Sequence, residues 1–234
     1  MPPIEAVLVD VGGVLVLPGH DPIAAALGHA DVRVDRHLLD RAHYAGVASL
    51  DEFTEGDREI WVQYNRAYAR ACNVSEDVID EAVEHLLNEF ATGAVWSRVV
   101  PGSRDALWEL SALGMQLAIV SNAGGDTEPR MREYEICQVG PGPGAAVGAI
   151  LDSTVVGAAK PDPRIFELAL EALDVPAERA IHVGDTPGAD VDGARAAGVH
   201  PVLVDPYDFH VGLDVERVAS LADVVELIRA RQPA

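Results

Sequence analysis

The stretch Ile4-Glu5-Ala6-Val7-Leu8-Val9-Asp10-Val11-Gly12-Gly13 carries the pattern on which the fold turns. It is mostly apolar from Ile4 to Val9, closes on an acid, and then meets two glycines. A buried strand running into a tight loop has this form. Two later stretches repeat it. Leu117-Ala118-Ile119-Val120 closes on Ser121-Asn122, and Ala180-Ile181-His182-Val183 closes on Gly184-Asp185.

Between these strands the periodicity is helical. Pro101 to Leu113 reads as a helix stopped by Gly114, and a further helix covers Pro129 to Ile136. Asp162 caps a helix with Pro163 at its first position and Ile165, Leu168, Ala169, Ala172 and Leu173 on one face. Asp190 to Ala197 and Leu221 to Ala230 read as helices, and Ala149 to Leu151 and Pro201 to Val204 as strands. Such alternation predicts an α/β fold, a parallel sheet with helices on both faces. Polar groups then gather at the carboxyl ends of the strands. Asp10, Ser121 and Asp185 each fall at or just past such an end.

The segment from about residue 20 to 92 differs. It reads as three or four helices with no strand, among them Glu59 to Ala71, and one beginning at Ser75-Glu76-Asp77-Val78 with the look of a side-chain cap. Residues 18–97 therefore read as an all-α insertion, and residues 1–17 with 98–234 as the α/β core. Tyr44, Trp61, Tyr64 and Trp96 could line a pocket, although aromatics at helical spacing usually build a core. Gly140-Pro141-Gly142-Pro143-Gly144 reads as a mobile connector, because two prolines remove amides that a phosphate-binding loop would use.

Composition narrows the function. A formal net charge of -21 over 234 residues opposes nucleic acid and anionic membrane surfaces. No apolar stretch has the length to span a bilayer. Met-Pro-Pro-Ile-Glu lacks the basic region of a signal peptide, so the expected location is cytoplasmic. Cys72 and Cys137 lack metal or redox spacing and are expected to be buried free thiols.

Lys160 is the only lysine among 17 basic residues. A compact ammonium suits one spot on a small anion better than a guanidinium does. Asp10 could present a nucleophilic oxygen while the amides of the Gly12-Gly13 turn face an anion. Ser121 could donate to a phosphoryl oxygen, and Lys160 could neutralise both nucleophile and transferred group. Asp185 and Asp190 place two acids in one loop, an arrangement that suits Mg²⁺.

In this order the motifs resemble those of the haloacid dehalogenase superfamily, mostly Mg²⁺-dependent phosphatases that work through an aspartyl-phosphate. The motifs are Val9-Asp10-Val11-Gly12-Gly13-Val14-Leu15, Ile119-Val120-Ser121-Asn122, Lys160-Pro161-Asp162-Pro163, and His182-Val183-Gly184-Asp185 through Asp190. The helical insertion is similar to the cap of one branch, and Tyr44-Ala45-Gly46-Val47-Ala48-Ser49 through Phe53 looks like its cap sequence. The resemblance implies a Rossmann-like core and a small phosphorylated metabolite as substrate, with Asp10 attacking phosphorus. It also implies Mg²⁺ held by Asp10, the Gly12 carbonyl and Asp185, with Asp190 behind them or acting through water. Ser121 and Lys160 would hold the phosphoryl group, with Gly12, Gly13 and Asn122 among the substrate-binding residues.

Gly12 departs from the pattern. The family's phosphatases usually carry a second aspartate there, which protonates the leaving group. His20 or Asp21 could substitute, or the leaving group could need no proton. The chain could also bind phosphorylated ligands without turnover. A dehalogenase, whose halide needs no proton, is a further alternative, but the Asp185–Asp190 loop has the look of a metal site that such an enzyme does not need.

Overall fold

The computed structural model describes residues 3–50 and 58–231. Its strands, in chain order, are β1 (Ala6–Val9), β2 (Val16–Pro18), β3 (Trp96–Val99), β4 (Gln116–Ser121), β5 (Cys137–Val139), β6 (Ala145–Val147), β7 (Ala149–Asp152), β8 (Ala180–Gly184), β9 (His200–Val204) and β10 (Glu216–Val218). The chain divides into two compact units. One comprises Met1–Leu15, Val99–Pro206 and Gly212–Ala234, and the other Val16–Arg98 and Tyr207–Val211.

The first unit is built on a six-stranded sheet of order β10-β9-β8-β1-β4-β7, parallel throughout. All four residues of β1 are buried, as a central parallel strand covered on both faces requires. Ala6 and Leu8 turn to one face and pack with Ala118, Val120, Ile165, Phe166 and Ala169. Asp162 caps the helix Pro163–Leu173 through its carboxylate and the Arg164 amide at 2.9 Å, with Pro163 in the first turn. The buried face of this helix is Ile165, Phe166, Ala169, Leu170 and Leu173, while Ala172 faces solvent. The apolar stripe is thus rotated from the expected one, because Phe166 enters the core against His182, their ring centroids 4.9 Å apart.

Five strands were not anticipated, β2 and β3, which pair with each other, and β5, β6 and β10. β10 extends the sheet at one edge, and β5 and β6 form a separate pair around the Gly140–Gly144 loop. That loop is not a loose connector. The fully buried Gln138 donates to the carbonyls of Gly140 at 3.2 Å and Gly144 at 3.0 Å, and accepts from the Gly144 amide at 2.9 Å. One side chain thereby supplies the partners that two prolines remove from the backbone.

The second unit holds the helices His20–Gly28, Leu39–Ala48, Arg58–Ala71 and Ile79–Ala91, with β2 paired to β3. No strand occurs among the described residues from 20 to 92. Phe53 lies outside the described residues. Tyr64, Tyr68, Leu86 and Phe90 anchor its core, while Trp61 stays 39% exposed. A Cβ on Gly46 would sit 2.6 Å from the Tyr64 ring, so this glycine permits the close approach of Leu39–Ala48 to Arg58–Ala71. The expected cap at Ser75 does not form. Val78 is the N-cap residue of Ile79–Ala91 and makes no side-chain bond, and the Ser75 hydroxyl donates to Asp77 instead.

Candidate active site

The sheet register delivers the chemistry to one edge. Val9 lies opposite Ile119 of β4 and Val183 of β8. Asp10 leaves the sheet one residue later, its amide still bonded to the Val183 carbonyl at 2.9 Å. Ser121 ends β4, and Asp185 follows the last residue of β8. After Asp185 the chain makes a π-helical turn, Pro187–Asp192, which carries Asp190 back over Gly184. The approach is so close that a Cβ on Gly184 would lie 2.1 Å from the Asp190 carboxylate carbon.

Lys160 reaches this edge from the loop before Pro163–Leu173. Only 2% of it is exposed, and its Nζ donates at 2.7 Å to Oδ1 of Asp10 and at 2.7 Å to Oδ1 of Asp190. Asn122 fixes the backbone that carries it. The Asn122 amide nitrogen donates to the Lys160 carbonyl at 2.9 Å, and its oxygen accepts from the Lys160 amide at 2.8 Å. The polar end of Asn122, expected to touch substrate, is thus engaged with the chain at Lys160. Asp190 Oδ1 also accepts from His182 Nε2 at 2.9 Å, and Oδ2 from the Thr186 amide at 2.9 Å. Asp185 accepts from the Thr186 hydroxyl at 2.9 Å.

Two residues escaped sequence reasoning. Asp152 lies opposite Ser121 in the sheet, and its buried carboxylate gathers the amides of Gly125, Thr127 and Thr154 and the Thr127 hydroxyl. It holds the loop that follows Ser121. An acid closing a short apolar strand before Ser153-Thr154 was the available signal. His182 looked like one more strand residue, and only its contact with Asp190 marks it.

His20 and Asp21 are engaged within the second unit. His20 Nε2 lies 2.9 Å from Asp40, which also pairs with Arg98, and Asp21 pairs with Arg36 at 2.5 Å.

Burial dominates the electrostatics. It pushes Asp10 up to about 7, with Asp190 and Asp185 adding to the shift and Lys160 opposing it. Burial acts the same way on Asp190, but Lys160 and His182 outweigh it and hold that carboxyl below its ordinary range. The two acids share one ammonium at equal distance yet move in opposite directions. The difference is that Asp190 also takes a donor from His182. Burial would lower Lys160, but Asp10 and Asp190 together hold it above its ordinary value. His182 is pushed down by burial.

One ammonium among three buried acids leaves negative charge uncompensated. Carboxylate oxygens of Asp10, Asp185 and Asp190 lie within 4.8 Å of one another. These hard oxygen donors fit a small divalent cation bound through few acids. Asp190 is committed to Lys160, His182 and Thr186, so Asp10 and Asp185 are the pair that could hold it.

The profile of the haloacid dehalogenase-like hydrolases matches residues 4–198. The chain belongs to this family. It is 38% identical over 207 residues to a phosphoserine phosphatase of Thermus thermophilus, covering 87% of this chain and 76% of that one. It is 29% identical over 222 residues to a phosphoglycolate phosphatase of Rhodospirillum rubrum, covering 93% and 84%. A haloacid dehalogenase-like hydrolase domain-containing protein of Xenopus laevis is 29% identical over 150 residues, 58% of its length, so the chain spans less than two thirds of that relative. Among solved structures, a HAD-superfamily hydrolase from Ehrlichia chaffeensis superposes with a TM-score of 0.62 at 18% identity, covering 99% and 98% of the two chains. This hydrolase therefore has the α/β, Rossmann-like fold that its motifs imply. Among the described residues no helix is long and apolar enough to cross a membrane.

Proposed function

We propose that this hydrolase is a Mg²⁺-dependent phosphatase of a small phosphorylated metabolite, working through an aspartyl-phosphate on Asp10. The observation that carries the reading is Lys160 Nζ, buried 2.7 Å from Asp10 at the carboxyl edge of the sheet, with Asp185 alongside. Two relatives aligned over most of their length, the phosphoserine and phosphoglycolate phosphatases, support it.

A carboxylate oxygen of Asp10 forms a bond to phosphorus as the bond to the leaving oxygen breaks. Water then attacks the acyl phosphate, releasing inorganic phosphate and restoring the Asp10 carboxylate. Lys160 faces the nucleophile and balances charge on the transferred group, and Ser121 donates to a phosphoryl oxygen. Mg²⁺ on Asp10, Asp185 and the Gly12 carbonyl would supply charge neutralisation and in-line orientation.

The leaving oxygen needs a proton that Gly12 lacks the group to give. General acid help is typically worth about 100- to 10,000-fold. Activity should therefore rise steeply as the leaving group's pKa falls, through activated aryl or acyl phosphates. A shallow slope that steepens on replacing His20 or Asp21 would assign the proton to that residue. The test is a graded series of phosphate esters with and without Mg²⁺, using the unmodified protein and Asp10→Asn. The expected result is Mg²⁺-dependent turnover that Asp10→Asn abolishes. Full activity in Asp10→Asn refutes the reading. No turnover of any ester by the unmodified protein favours a second reading, a phospho-ligand binding protein, to which Gly12 also points.

A further inference from the structure

His182 lies in the interior of β8, fully buried and two residues short of the edge where the chemistry gathers. Its Nε2 meets the same oxygen of Asp190 that Lys160 takes, at 2.9 Å against 2.7 Å. An ionised carboxylate only accepts, so Nε2 carries the hydrogen. The other nitrogen, Nδ1, is buried without a hydrogen-bond partner, although the Leu8 backbone opposite it in the sheet lies near. Asp190 is thus the side chain to which the ring is hydrogen-bonded. Phe166 stands edge-on to the imidazole and blocks rotation away.

We infer that His182 is a positioning residue for Lys160: through Oδ1 of Asp190 it fixes where the ammonium stands relative to Asp10. Three observations support this. Asp190 is held at both oxygens, by His182 on one side and the Thr186 amide on the other, so its carboxylate cannot turn. Asn122 clamps the backbone of Lys160, so the stem starts from a fixed point. What remains to be set is the tip, and the tip has two anchors, Asp10 and Asp190. Asp10 is the group that reacts in the proposed function, so Asp190 is the one of these two anchors that takes no part in the bond changes. Without His182, Oδ1 loses its second donor and the carboxylate can swing with the lysine.

The inference rests on the phosphatase reading for its consequence in turnover, but not for the geometry, and the single lysine separates the two. Protein grown with ¹⁵N-lysine carries one labelled side chain, so the Nζ signal reports Lys160 alone. The variants are His182→Gln, whose terminal nitrogen reaches as far along the side chain as Nε2, and His182→Asn, which stops near the Nδ1 position. Both are polar and fit the same space, so an unspecific packing effect would touch them alike. The expected result is an Nζ resonance near the native position in His182→Gln, and one shifted and broadened by faster proton exchange in His182→Asn. With a substrate that turns over, kcat should fall roughly 10- to 100-fold in His182→Asn, the range typical of outer-shell partners. KM should change far less, and kcat should recover in His182→Gln. An Nζ signal unchanged in His182→Asn, or equally altered in both variants, overturns the inference. Absence of turnover in the unmodified protein overturns the phosphatase reading instead, and the Nζ arm still decides the role of His182.

Discussion

Replacing Lys160 with methionine keeps the length of the side chain and removes its charge. The native ammonium lies 2.7 Å from both Asp10 and Asp190, and Asp185 has an oxygen within 4.8 Å of theirs. All four residues are almost wholly buried. Removing one partner of a buried ion pair typically costs about 3–5 kcal/mol, because the charge left behind has neither water nor partner. Two stranded carboxylates would place Lys160→Met at the upper end of this range. Asp10 offers a partial escape: burial already pushes it up to about 7, and without Lys160 it takes a proton more readily still. The net expectation is about 3 kcal/mol near pH 8, which for a chain of this size is roughly 6–12 °C in Tm. The loss should shrink near pH 5.5, where Asp10 is protonated and no longer needs the ammonium to balance its charge. Urea unfolding of both proteins in EDTA, at the two pH values, measures this. A deficit below about 1 kcal/mol at pH 8, or an equal deficit at both pH values, would show that the ammonium does not hold this cluster together.

Gly184→Ala should cost about 1–3 kcal/mol by overpacking, since its Cβ would fall 2.1 Å from the Asp190 carboxylate carbon, and should lower activity in step; chemical denaturation with an ester assay measures both. In metal-free protein Asp10 holds a proton up to about 7 when folded but only to its ordinary value of 3.8 when unfolded, so its contribution to stability falls as pH rises across that window. Mg²⁺ should flatten this slope, as melting curves from pH 4 to 8 with EDTA or Mg²⁺ will record. Cys72 and Cys137 are buried free thiols, both pushed up to about 12 by burial, so neither should react with a thiol reagent at pH 8 until the chain unfolds, when both should titrate. Asn122→Ala removes both hydrogen bonds to the Lys160 backbone and should lower kcat about 10-fold, with Asn122→Asp recovering less than half of the loss because its carboxylate repels the Lys160 carbonyl.

Much of this molecule is legible without coordinates because its central strands are apolar runs, broken only by His182 in β8. Val7 to Val9, Leu117 to Val120 and Ile181 to Val183 announce a sheet buried on both faces, and the residue closing each run falls at the carboxyl edge by chain direction alone. Burial confirms the runs, and the register places their ends together. The stop at Gly114 is legible for a similar reason: it adopts a positive φ that other residues resist. Short strands were not legible. β2, β5, β6 and β10 have three residues each and β3 four, too few for periodicity to separate them from loop. The Ser75 capping signature failed because the Asp77 carboxylate, two residues away, took the hydroxyl that a helix amide was expected to engage.

Local sequence alone determined which residues could do chemistry, because side-chain type and position at a strand end are properties of the chain itself. Asp10, Ser121, Lys160, Asp185 and Asp190 needed no coordinates to be named. Tertiary structure decided what each of them is bonded to. Asn122 and Lys160 are 38 residues apart and His182 and Asp190 eight, and their hydrogen bonds depend on where separate elements finish in space. Only there does Asn122 become a clamp on the lysine's backbone, His182 a donor behind the lysine's acid partner, and Gly184 the gap that lets Asp190 close over the strand. A hydrogen bond depends on distance and angle between two groups, and no residue carries that information by itself.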